Sequence, residues 1–209
     1  MKELDDIIIS DPPSQEVENV QDDCSNLITE LTKIKNEGND LYKLKKIEEA
    51  KDVYNQGIKK FDEKYSSIDK KSISDEKNKE ILTLYKKILS NMALCYYKQE
   101  KYKEAIEYDL KLLEVSPKFG KSLVRLIKSY SKLNLIEQAV YYGDLFLELD
   151  QETRDKFKDV QNTVQEEKQK LKKIKKAEEE KIKKDIAKYS VPAIVLLLAI
   201  LIFLLFRKK

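Results

Sequence analysis

The sequence has no histidine and no tryptophan, and only two cysteines (Cys24 and Cys95), four glycines and four prolines in 209 residues. Each shortage excludes something. Without imidazole there is no His-based acid–base catalysis and no His-containing zinc site. Two cysteines do not make a disulfide scaffold, and so little Gly and Pro does not punctuate a many-stranded sheet. Charge is what the chain has in abundance: Asp, Glu, Lys and Arg make up 38% of it. A helical, strongly solvated protein with one compact domain plus extensions fits this balance.

The net charge of +3 conceals a polarised chain. Residues 1–30 hold nine acids and one base, Lys2, and with Pro12-Pro13 among them this stretch is expected to be disordered. Residues 168–188 hold ten lysines and four acids. Val191 to Phe206 is sixteen residues without a polar side chain, closed by Arg207, Lys208 and Lys209. As a helix this run measures roughly 24 Å, or roughly 27 Å with Tyr189 and Ser190, against a hydrocarbon core of about 30 Å. It predicts a transmembrane tail anchor over 190–206 followed by a basic tail, 207–209. No secretory signal precedes it, since the only apolar run in the first thirty residues is Ile7-Ile8-Ile9. The arrangement resembles that of tail-anchored proteins and places the rest of the chain in the cytosol, on the endoplasmic reticulum or mitochondrial outer membrane.

Comparing the chain with itself at a period of 34 residues aligns three segments, 31–64, 86–119 and 120–153. Small residues recur in register: Gly38 and Ala93 at the eighth place, and Ala50, Ala105 and Ala139 at the twentieth. Tyr96 and Tyr130 share the eleventh place, and Pro117 stands at place 32 of the second copy. The pattern resembles the tetratricopeptide repeat, a helix pair in which small residues let the two helices approach closely. The resemblance implies an all-α fold: three helix pairs stacked as a short solenoid with a concave inner surface lined by the first helices.

An insertion, 65–85, separates the first two copies. Ser66, Ser67, Ser72 and Ser74 mark it as a loop, and Ser74 or Asp75 is placed to cap an extended first helix of the second copy. Residues 154–189 carry a narrow apolar stripe, Phe157, Val160, Val164, Leu171, Ile174, Ile182 and Ile186, on an otherwise charged helix. Its first half is expected to cap the stack and its second half to form a Lys-rich stalk.

Within each first helix, places 2, 5, 6 and 9 fall within a roughly 100° arc opposite the packed stripe. There the sequence places Lys35 and Asn39 in the first copy, Asn91 in the second, and Lys121 and Arg125 in the third. Three cations and two amides converging in one groove suit carboxylates, because the cations give charge-assisted hydrogen bonds and the amides give directional donors. The main-chain carboxylate and an Asp side chain at a peptide's C-terminus would fill such a site with a micromolar Kd, about −8 kcal/mol.

The pattern Lys-x-x-x-Asn, Asn, Lys-x-x-x-Arg resembles the dicarboxylate clamp of tetratricopeptide cochaperones, including the repeat domain of membrane-anchored immunophilins without their isomerase domain. That resemblance implies a non-enzymatic cochaperone or docking receptor. Its partners would be heat-shock chaperones of the ninety- or seventy-kilodalton class, bound through a C-terminal Glu-Glu-Val-Asp. By it, Lys35, Asn39 and Asn91 would hold the terminal carboxylate, Lys121 would meet the Asp side chain, and Arg125 would contact the residues before it. The alternative is a membrane adaptor for other proteins, similar to the repeat adaptors of mitochondrial fission, which lack the clamp.

Other signals carry less. Gly120-Lys121-Ser122 looks like the end of a phosphate loop, but Val115 stands where the first Gly belongs. Neither cysteine has a histidine to activate it. No cofactor, metal, small-molecule substrate or nucleic acid is expected, and the lysines of 168–188 are read either as lying beside anionic lipid headgroups or equally as a simply solvated stalk.

Overall fold

Apolar residues at helical spacing, with hardly any Gly or Pro between them, favour helix pairs over every other element. The computed structural model describes residues 14–65 and 76–207, and the side chains of 24–65, 78–188 and 195–201. Among the described residues there is no strand. The helices are α1 (Ser14–Lys43), α2 (Ile47–Lys64), α3 (Glu76–Lys98), α4 (Tyr102–Val115), α5 (Gly120–Lys132), α6 (Ile136–Leu147), α7 (Gln151–Asp155) and α8 (Lys158–Arg207).

Three helix pairs, α1/α2, α3/α4 and α5/α6, occupy the three sequence copies, and each pair ends its first helix in the same way. Lys45, Glu100 and Asn134, each fifteenth in its copy, have φ of 61°, 59° and 57°. Around the first of them the Lys46 amide donates to the Leu41 carbonyl and the Lys45 amide to Tyr42. The same pair of bonds joins Lys101 to Tyr96 and Glu100 to Tyr97, and again Leu135 to Tyr130 and Asn134 to Ser131. This is the Schellman stop, in which one left-handed residue satisfies the last carbonyls of a helix. It turns the chain back three times, so one local geometry repeated once in each copy generates the stack.

Close approach within each pair depends on the small residues. Ala50, Ala105 and Ala139 are fully buried. A Cβ on Gly38 would lie 2.3 Å from the Tyr54 ring, so only glycine lets α1 and α2 meet there. First helices then pack in series, α1 on α3 and α3 on α5, while each second helix packs on the first helix of the next pair. One apolar cluster fills the space among α1 to α4, with Phe61 stacked on Tyr85 at 3.7 Å between ring centroids. Lys111 and the Tyr85 hydroxyl both donate to the Asp62 carboxylate, at 2.7 and 3.1 Å, and tie α4 and α3 to α2.

The far end is closed by α8, which packs on α6 and α5. Val160 and Val164 are fully buried there, each stabilising the docking by roughly 1.5–3 kcal/mol. Beyond Leu171 the helix leaves the stack, and Ile174, Ile182 and Ile186 are 40%, 56% and 61% exposed. The stripe therefore caps with its first half only.

Two expectations are corrected. The acidic segment 1–30 is not without structure throughout, because α1 begins at Ser14 and buries Cys24 and Leu27 in the first core. Cys24, Leu27, Leu31 and Ile34 are spaced at 3, 4 and 3, so the apolar stripe of α1 continues upstream despite the surrounding charge. The transmembrane anchor over 190–206, and the membrane localisation built on it, are overturned: among the described residues no helix is long and apolar enough to cross a membrane. The sixteen-residue run is the end of the otherwise charged α8 and at roughly 24 Å falls short of a hydrocarbon core of about 30 Å. The expectations for residues 1–13, for the loop and cap within 66–75 and for Lys208 and Lys209 lie outside the described residues.

Candidate functional site

Asn39 and Asn91 belong to different repeats and are brought into direct contact. The Asn39 Oδ1 accepts from Asn91 Nδ2 at 2.7 Å and from the Tyr54 hydroxyl at 2.8 Å. Tyr54 is buried, and that burial pushes its hydroxyl well above the usual tyrosine range and keeps it a neutral donor. A cavity of about 160 Å³ opens beside this junction, lined by Asn39, Tyr42, Lys43, Tyr54, Asn91 and Leu94. The packing that demands glycine at residue 38 thus also sets the neighbouring amide, because the Tyr54 ring fills the space above Gly38 and its hydroxyl holds Asn39.

Lys35 lies one turn before Asn39 on the same face of α1, half-buried, and Lys121 one turn before Arg125 on α5, exposed. Among the described residues neither lysine has a hydrogen-bond or ion-pair partner. Arg125 is different. It is 8% exposed, and its Nε and one terminal nitrogen donate to the two carboxylate oxygens of Asp109 at 2.7 and 2.5 Å. Asp109, on α4, is fully buried, and that burial pushes its carboxyl up against the opposing pull of Arg125. The expected free cation at residue 125 is therefore a neutralised pair. Two of the five guanidinium N–H groups are engaged, and the charge left uncompensated at the five predicted positions is that of Lys35 and Lys121.

A further cation went unnoticed in the sequence. Lys128 holds the ninth place of the third copy, the place Asn39 holds in the first, and donates to Asp159 of α8 at 2.7 Å. The groove arc named that place; what the sequence hides is the acid 31 residues away that covers the charge. Near it lies Tyr97 of α3, whose hydroxyl is pushed up by burial while Lys128 and Arg125 both draw it back. One patch thus gathers Tyr97, Arg125 with Asp109, and Lys128 with Asp159.

Both cysteines are buried, and burial pushes the Cys95 thiol up to about 11. Among the described residues no group of three His, Cys, Asp or Glu side chains is placed to hold a metal ion.

No family model matches the chain. A curated relative, the Hsp70/Hsp90 co-chaperone CNS1 of Saccharomyces cerevisiae, is 30% identical over 105 residues, which is 50% of this chain and 23% of that protein. The chain therefore matches about a quarter of that relative's length. Of the solved structures, the C-terminal TPR-containing domain of an FK506-binding protein from Plasmodium falciparum superposes with a TM-score of 0.58 at 22% identity, covering 73% of this chain and 95% of that domain. The Hsp90 co-chaperone Cns1 from Saccharomyces cerevisiae superposes with a TM-score of 0.51 at 22% identity, covering 76% of this chain and 44% of that one. The likeness shows the fold: an all-helical, TPR-like solenoid.

Proposed function

We propose that the chain is a non-enzymatic cochaperone module that binds the free C-terminus of heat-shock chaperones of the ninety- or seventy-kilodalton class. Segments 31–64, 86–119 and 120–153 form the docking unit, and the first half of 154–189 supplies its cap. The observation that carries this reading is the Asn39–Asn91 contact between the first helices of two repeats, supported by two first-helix lysines, Lys35 and Lys121, that have no partner among the described residues. A chain ending in Glu-Glu-Val-Asp offers two terminal carboxylates, one on the main chain and one on Asp. Two uncompensated ammonium groups and the amide donors match that count. The name of the yeast relative supports the same partner class.

Each charged hydrogen bond contributes about 1.5–3 kcal/mol, and ordering the peptide cancels a large part of the sum, which leaves a micromolar Kd. Fluorescence anisotropy with a labelled peptide ending in Glu-Glu-Val-Asp tests it. Amidation of the terminus is expected to weaken binding at least tenfold, and Lys35→Ala and Lys121→Ala each to do the same. Equal affinity for the free and amidated peptides would remove the basis of the proposal. Arg125→Ala is the poorer probe, since it strands a buried carboxylate and destabilises the stack.

A further inference from the structure

On α5, Lys128 stands one turn after Arg125 on the same helix face, and there the cap supplies its own acid. We propose that Asp159 is a specificity-determining residue that occupies Lys128 and so denies that cation to acidic side chains upstream of a ligand's C-terminus. This deepens the reading above and rests on it. Lys128 stands at a groove place of α5, and its ammonium meets Asp159 at 2.7 Å, with the two side chains 36% and 67% exposed. Arg125, the other cation of this patch, is likewise covered from within the chain by Asp109. Both charges that would reward a more acidic peptide are therefore spoken for, while those facing the terminus are not.

The two internal acids differ in one respect. Asp109 is fully buried and locked, whereas Asp159 is largely exposed at the start of α8 and is displaced at little cost. A carboxylate on the residue before the last two of the ligand must compete with Asp159 for Lys128. The occupant of this subsite is thus the side-chain carboxylate of a Glu or Asp upstream of the terminal pair, and Asp159 suppresses its contribution.

Three peptides distinguish the outcomes: free acids ending in Glu-Glu-Val-Asp and Gln-Gln-Val-Asp, and the amidated form of the first. The unmodified chain is expected to bind the two free acids within about twofold of each other. Asp159→Asn is expected to tighten binding of the Glu peptide about two- to fivefold at low salt, leave the Gln peptide unchanged, and lose the gain when Lys128→Gln is added. If Asp159→Asn tightens both free peptides alike, or neither, while amidation still weakens binding, the assignment of Asp159 is wrong and the cochaperone reading stands. If the unmodified chain ignores amidation, both fail together. Asp159 sits on the surface, so the variant is expected to fold, and its thermal unfolding midpoint checks that.

Discussion

Lys45 and Glu100 hold a backbone conformation for which an L side chain is poorly suited, at φ of 61° and 59°. A left-handed conformation costs an ordinary residue about 1–2 kcal/mol, and glycine adopts it freely. Replacing either by glycine removes that strain and gives back about 0.5–1 kcal/mol, because glycine loses more freedom on folding. The net expectation is a gain of about 0.5–1 kcal/mol for each of Lys45→Gly and Glu100→Gly. No hydrogen bond or ion pair is lost, since among the described residues neither side chain has such a partner. Asn134, at φ of 57°, gains less, because asparagine tolerates this region. The two sites lie in different repeats, so the double variant gains about 1–2 kcal/mol and unfolds roughly 2–8 °C higher. Urea unfolding followed by far-ultraviolet circular dichroism measures this as a rise in midpoint at unchanged slope. Lys45→Ala is the control, keeping the strained φ and shifting stability by less than about 0.5 kcal/mol. A fall in midpoint for both glycine variants would refute the strain argument.

Three other perturbations test the packing and the site. Gly38→Ala drives a Cβ into the Tyr54 ring and is expected to cost about 1–3 kcal/mol in urea unfolding and to weaken peptide binding as well, through Asn39; a variant as stable as the parent would contradict the close approach. Cys95, buried with its thiol pushed up to about 11, is expected to react with Ellman's reagent at pH 8 only after denaturant is added, and prompt native labelling would count against its burial. Lys128 holds the Asp159 carboxyl below its usual range, so the stability this pair contributes is present above the unfolded value near pH 4 and disappears as pH falls through the lower native value. The difference between the urea midpoints of the parent and Asp159→Asn is accordingly expected to be full at pH 7 and to shrink as pH falls below about 4, and a difference independent of pH would exclude the pairing.

Much of this fold was legible because a helix pair is written locally. The alanines at 50, 105 and 139 fix the register, and the tyrosines and leucines between them fix the faces. Charge was harder to read. A period assigns Arg125 and Lys128 to the groove face but says nothing of Asp109 or Asp159, which arrive from other helices 16 and 31 residues away. Composition misled at both ends of the chain: nine acids in residues 1–30 outweighed the spacing that makes Cys24 and Leu27 part of α1, and a long apolar run at the end of α8 suggested a span that no described helix provides. The Asn39–Asn91 contact needed the stack itself, since it depends on how closely α1 approaches α3.

The junction at Asn39 has a polarity of its own. Its carbonyl oxygen is consumed from two sides, by Tyr54 and by Asn91, so the nitrogen end of that amide is what stays unspent. An amide with a free oxygen would welcome ammonium groups and alcohols as readily as anions. Locked this way round, Asn39 itself offers only protons to a visitor and answers to groups with lone pairs to give.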